Sequence, residues 1–234
     1  MSVSGDPVVL IPAHNEEATV GDIVARIRRS WGYSVVVIDD CSHDATAQIA
    51  RAAGATVLPL TLQLGAWGAI QTGLRYALRQ GYRIAVTLDA DGQHEPESIG
   101  MLLDPLVSGQ TDVSIGAFPE RASRARRIAW SYFRWLTGLE LQDITSGFRV
   151  YNHTAMTVLA SGEASLLDYQ DVGVLLILRR KGLRTIEVPV SMQPRLIGAS
   201  KVFRSWLIVG KYMLQTSLLC LARVGYNHSP PMDD

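Results

Sequence analysis

The first half of the chain alternates between short apolar runs and segments whose apolar residues recur every three or four positions. Residues 8–11, 34–38, 56–60, 84–88 and 112–115 read as strands, the first ended by Pro12. The segments between them read as helices. Residues 16–29 carry Val20, Ile23, Val24 and Ile27 on one face, and residues 44–53 stop at Gly54. Residues 66–80 end at Gly81, and residues 97–107 follow the fourth strand. A β–α rhythm with short connections leaves few folds open. It predicts an α/β protein with a Rossmann-like, mostly parallel sheet and helices on both faces. No repeat or low-complexity linker divides the chain, so residues 1–202 are expected to form one domain. Residues 203–234 add an apolar, amphipathic helix and a tail to it.

Ligands of such sheets bind outside the carboxyl ends of the strands. Glu16, Asp39, Asp40, Asp89 and Asp91 all fall at those ends. In Asp89-Ala90-Asp91, alternate residues of an extended chain point the same way, so both carboxylates can face one ligand. Two hard oxygen donors suit a divalent cation, and such a cation suits a diphosphate. With 14 aspartates in 234 residues, about one such triplet arises by chance, so its place after a buried strand carries the weight. Gln93 and His94 follow it; either extends the donor set, or His94 is an ordinary hydrogen-bonding residue. Asp44 suits the cap of the helix it precedes, which releases Asp39 and Asp40 for a ribose hydroxyl or a base N–H. The segment 12–17 walls a nucleoside or simply caps a helix. The Gly-rich turn with Gly65 and Gly68 accepts phosphate or reflects close packing.

The second half changes character. Residues 121–136 hold five arginines with Trp130, Tyr132, Phe133 and Trp135, and no acid. This segment suits either a membrane interface or an amphipathic cover over a groove. The polar loop 143–149, a helix near 172–180, a strand near 185–190 and an apolar helix over 203–224 complete the pattern. Formal net charge is zero, which argues against nucleic-acid binding. Lys181, Lys201 and Lys211 are the only lysines. Cys41 and Cys220 lie too far apart in sequence for metal-site spacing, and no signal peptide is apparent. The default is a reducing, cytoplasmic compartment. Residues 206–222 are the best candidate span, and Lys211 and Gln215 interrupt them.

The segments IPAHNEE, VVVIDDCSHDAT, LGAWGAIQTGL, LDADGQHEPE, DITSGFR and EVPVSMQPRLIGASK cover residues 8–201. In that order they resemble family 2 glycosyltransferases of the GT-A fold, in particular the dolichyl- or polyprenyl-phosphate sugar transferases. The resemblance implies Mg²⁺ or Mn²⁺ on Asp89, Asp91 and Gln93. It implies nucleotide contacts at Pro12, His14, Glu16, Asp39 and Asp40, with Gly68 on the phosphate side. Arg195, Ser200 and Lys201 match groups near the diphosphate, while Asp143, Ser146 and Arg149 match an acceptor-side loop. Asp91, Asp143 and Asp171 are the candidate catalytic acids. The implied reaction moves a sugar, with inversion, from a nucleoside diphosphate to a polyprenyl or dolichyl phosphate. It would take place peripherally at the inner face of the membrane, with an integral-membrane partner or a second copy compatible.

The chain departs from the family pattern in places. Gly116-Ala117-Phe118 replaces Gly-Ser-Arg, leaving Arg121 or Arg124 to supply that arginine, and Asp168 and Asp171 stand displaced from a usual acid. His14 replaces an aromatic, and Trp67 is unusual in its turn. Two rivals share the donor site: a transferase extending a lipid-linked or cell-surface saccharide, and a catalytically lapsed nucleotide-sugar-binding partner. A nucleotidyltransferase would need a Gly-rich basic loop after the first strand, and residues 12–17 do not supply one.

Overall fold

The computed structural model describes residues 5–118, 120, 124–143, 145–166 and 172–193. Strands β1 (Val8–Ala13), β2 (Ser34–Asp39), β3 (Thr56–Pro59), β4 (Ile84–Thr87), β5 (Val113–Ala117), β6 (Arg149–Asn152) and β7 (Thr185–Pro189) form one seven-stranded sheet. Its order is β3-β2-β1-β4-β6-β5-β7. The helices are α1 (Val20–Trp31), α2 (Thr46–Ala52), α3 (Gly65–Arg79), α4 (Ile99–Val107), α5 (Arg124–Thr137), α6 (His153–Leu159) and α7 (Val172–Arg180). The expected mostly parallel sheet with helices on both faces is what the chain forms.

Strands β1, β2, β4 and β5 are buried on both faces, which is why their sequences are apolar runs rather than alternations, whereas the outer strands β3 and β7 are only partly covered. Val8 and Leu10 of β1 point into a core with Trp67, Ile70 and Leu74 of α3 and with the buried faces of α5, α6 and α7. Val9 and Ile11 point the other way, against Ile23 and Ile27 of α1, Ala50 of α2 and Leu102 of α4. Each fully buried side chain of this size contributes about 1.5–3 kcal/mol. Helix α3 lies close on the sheet because Gly73 has no side chain. A Cβ there would stand 2.9 Å from Ile38 Cδ1 and 3.2 Å from Leu10 Cδ1.

The differences from the sequence reading lie mostly beyond β5. Strand β6 and helix α6 begin at the end of the expected loop 143–149 and occupy a stretch to which the sequence reading gave no element. β6 runs antiparallel between β4 and β5, pairing Arg149 with both Thr87 and Ile115. This reversal brings the loop leading into β6 to the carboxyl ends of β4 and β5. Helix α1 starts at Val20 rather than residue 16. The chain first turns through Asn15, at φ 54°, and the Glu16 carbonyl accepts from Thr19 and Val20 N–H. No helix among the described residues is long and apolar enough to cross a membrane. The apolar helix expected over 203–224, and Cys220, lie outside the described residues.

Candidate active site

The ends of β1 and β2 build the first wall. Asp40 N–H donates to the Ala13 carbonyl, extending the β1–β2 ladder beyond the last strand residue (2.8 Å). His14 Nδ1 lies 2.7 Å from the Asp40 carbonyl, which can only accept, so Nδ1 carries the proton. Nε2 then accepts from Asn15 Nδ2 at 3.1 Å. Pro12, His14 and Glu16 are half-buried along this wall. Glu16 N–H donates to Thr46 Oγ1, joining the wall to α2. Asp39 is buried and accepts from Ser42 N–H at 3.1 Å. Helix α2 starts at Thr46 rather than residue 44, with Ala45 at its cap position, and Asp44 accepts from Thr46 N–H just ahead of it. Burial pushes its carboxyl up. The hydrogen bonds from Thr46 and Glu17 outweigh that and hold it below the ordinary carboxylate range.

Asp40, expected at the base or ribose, has both carboxylate oxygens engaged by the fold. Its two oxygens accept from Leu64 N–H (2.6 Å) and Gly65 N–H (2.9 Å), the donors that open α3. The N-terminus of α3 thus already holds an anion. Gly68, expected on the phosphate side, lies in the first turn of α3, where a Cβ would stand 2.6 Å from Leu64 Cβ. Trp67, the oddity of this turn, is a core residue whose indole N–H donates to the Ala164 carbonyl (2.8 Å).

The turn after β4 forms the centre. Asp89 and Asp91 flank Ala90, whose carbonyl accepts from Thr19 Oγ1 at 2.6 Å. That hydroxyl fixes the turn to the start of α1, a contact with no signal in the sequence. The Asp89 side chain is 41% exposed, whereas Asp39 and Asp40 are buried residues. Gly92, at φ 76°, reverses the chain, and Gln93 N–H donates to Asp91 Oδ1 (3.1 Å). The turn then pairs with the chain beyond β7. Gln193 N–H donates to the Gln93 carbonyl (2.8 Å), His94 bridges Met192, and Gln193 Nε2 donates to Glu95 Oε1 (2.6 Å). Behind it, Arg26 of α1 grips Glu97 with two hydrogen bonds and holds that carboxyl low.

Among the described residues no three His, Cys, Asp or Glu side chains form a ready metal cage. Asp89, Asp91 and the Gln93 amide still fit a Mg²⁺-type ion, which takes one or two carboxylates and completes its shell with water and substrate phosphates. The half-open Asp89 carboxylate is the observation that meets this requirement.

The loop into β6 forms the opposite wall. Asp143 is fully buried and accepts from Phe118 N–H and Thr145 Oγ1, both at 3.3 Å. Glu187 of β7 accepts from Gln142 N–H and Asp143 N–H, at 2.7 and 2.6 Å. Arg149 is fully buried, and its Nε donates to the Ser146 carbonyl (2.8 Å). Asp143, Ser146 and Arg149 therefore brace the loop from within. Asp143, expected as a catalytic acid, and Arg149, expected as a substrate contact, are thus both enclosed in the described structure. Glu187 was missed because a lone acid in a strand looks like a solvated one. Asp171, Arg195, Ser200, Lys201 and Arg121 lie outside the described residues, as do the side chains of residues 124–129.

Residues 8–160 match the family model described as glycosyl transferase family 2. The chain is 32% identical to undecaprenyl-phosphate mannosyltransferase of Micrococcus luteus, over 92% of this chain and 94% of that one. It is 30% identical to polyprenol monophosphomannose synthase of Mycolicibacterium smegmatis, over 83% and 80% of the two chains. In structure it resembles glucosyl-3-phosphoglycerate synthase of Mycobacterium tuberculosis, solved with Mn²⁺, UDP-glucose and phosphoglyceric acid. The TM-score is 0.71 at 23% identity, covering 95% of this chain and 80% of that one. With its strand-end acids on a GT-A-like sheet, the chain belongs to glycosyl transferase family 2 and is a glycosyltransferase.

Proposed function

We propose that this enzyme transfers a sugar from a nucleoside diphosphate to a polyprenyl or dolichyl phosphate, with inversion and with Mg²⁺ or Mn²⁺. The carrying observation is the pairing of Asp89 and Asp91 at the end of β4, opposite the wall of Pro12, His14, Glu16 and Asp39. That wall receives the nucleoside, with Asp39 positioned for a ribose hydroxyl or base N–H. Asp89, Asp91 and Gln93 hold the diphosphate end through the cation, which when bound neutralises the departing diphosphate. Arg195, Ser200 and Lys201 are assigned to the same leaving group. A phosphate oxygen of the acceptor attacks the anomeric carbon as its bond to the diphosphate breaks, and the nucleoside diphosphate departs. An ionised phosphate needs no base. The enclosure of Asp143 favours such an acceptor over a sugar hydroxyl, for which Asp171 would be the remaining candidate base. The names of the two relatives above, both lipid-phosphate transferases, support the same choice.

The reaction is placed at the inner face of the membrane, with residues 1–202 as the catalytic domain and 203–234 as an interfacial extension. Helix α5 supports this. It buries Trp130 and Phe133 yet leaves Trp135 80% exposed, with its ring centroid 6.4 Å from that of Tyr132. Exposed aromatics beside arginines suit a headgroup layer. The test is turnover of a nucleotide-sugar panel with polyprenyl phosphate, with Mn²⁺, Mg²⁺ or a chelator. Metal-dependent formation of a lipid-phosphate sugar is expected. Product formed only on a saccharide acceptor would overturn the lipid phosphate, and donor binding without any turnover would point to a lapsed enzyme.

A further inference from the structure

The Asp89 carboxylate is enclosed on two sides by residues to which the proposed reaction gives no task. His94 is 1% exposed, and its Nε2 stands 3.4 Å from Asp89 Oδ2. Its other ring nitrogen, Nδ1, is buried without a hydrogen-bond partner among the described residues. The ring's polar contact in the described structure is thus the one to Asp89, and a carboxylate accepts from it. The ring cannot drift, because it lies tilted on Phe148 with centroids 5.2 Å apart and its backbone bridges Met192.

On the other side runs the backbone of Gly147. A Cβ built there would stand 2.6 Å from both Asp89 oxygens and 2.8 Å from Cγ, which no real side chain tolerates. Gly147 does not take a left-handed conformation. Its lack of a side chain answers to the carboxylate beside it. Thr87 Oγ1 donates to the Gly147 carbonyl at 2.8 Å and fixes that approach to the last residue of β4. His94 belongs to the turn after β4, whereas Gly147 belongs to the loop into β6. One carboxylate therefore sits between the two walls of the cleft.

We propose that His94 and Gly147 are positioning residues for Asp89: His94 fixes the rotation of its carboxylate by a hydrogen bond, and Gly147 leaves the space that carboxylate occupies. This rests on the reading of Asp89 as a metal ligand. Groups that orient metal-binding carboxylates typically change affinity or activity about 10–100-fold when removed. His94→Phe keeps the ring on Phe148 but removes the donor, and His94→Gln returns one. Gly147→Ala forces the carboxylate or the loop aside.

The experiment measures Mn²⁺ affinity of the full chain by electron paramagnetic resonance, with UDP or GDP present, alongside thermal unfolding of each variant. His94→Phe and Gly147→Ala are expected to weaken Mn²⁺ binding about 10–100-fold. His94→Gln should recover part of the loss. Turnover of His94→Phe should show a raised metal requirement, with the maximal rate largely restored at saturating Mn²⁺. A merely structural role would not produce that split. If Gly147→Ala fails to fold, the two His94 variants decide the matter. Folded His94→Phe binding Mn²⁺ as tightly as the wild type would overturn the inference while leaving the metal site standing. No Mn²⁺ binding by the wild type, or unaltered binding by Asp91→Asn, would overturn both.

Discussion

Two acid pairs close two strands of the same sheet edge, and they have opposite fates. Asp39 and Asp40 are adjacent, so their side chains leave the strand end in opposite directions. Asp40 turns toward α3 and binds its first N–H groups, while Asp39 holds Ser42 N–H. Asp89 and Asp91 are separated by one residue, and the Asp89 carboxylate stays half-open to the cleft. One residue of spacing separates an acid that holds the fold from a pair that can share a ligand.

The comparison breaks most sharply at Asp91. Asp91→Asn should lower metal-dependent turnover by more than about 10²-fold, beyond the usual loss from a supporting residue. The thermal midpoint should barely move. Asp40→Ala should do the reverse, costing about 2–3 kcal/mol in urea unfolding through two lost charge-assisted hydrogen bonds. If Asp40→Ala leaves stability intact and removes only turnover, the contrast between the pairs fails. The smallest effect sharpens the picture at the neighbouring turn before α2. Asp44→Ala should cost about 1 kcal/mol at neutral pH. Because the folded carboxyl is held low, that contribution is complete above the unfolded pKa of about 4 and fades as pH falls through the folded value. Wild type and Asp44→Ala should therefore converge in unfolding free energy as the pH falls below the folded value.

The strands and helices up to β5 were legible because most of these strands, β3 at the edge excepted, are buried on both faces and each helix on one. Period and run length then carry the information. Strand β6 was not, because its four residues, RVYN, are short and polar at both ends, and nothing local announces that Arg149 will be fully buried. The acids of the cleft were legible as positions but not as roles. The sequence places Asp40 beside Asp39, and nothing in it announces that Leu64 and Gly65 will meet Asp40. Thr19, Glu187 and Gly147 act through contacts with distant segments, so local pattern could not single them out. Gly147 did stand inside a recognised motif, and its meaning became clear only when Asp89 was seen against it.

The antiparallel strand has a consequence for how the molecule is made. Both neighbours of β5, namely β6 and β7, come later in the chain. As the chain emerges from the ribosome, β1 to β4 can assemble into a sheet among themselves, whereas β5 must wait with both edges unpaired. The arrival of β6 joins β5 to the growing sheet and lays Gly147 against Asp89 in the same event. The pairing that couples β5 to the sheet is thus the one that gives the cleft its second wall, and β7 adds to the far edge of β5 afterwards, so a nascent chain cannot acquire a complete cleft before β6 has joined its sheet.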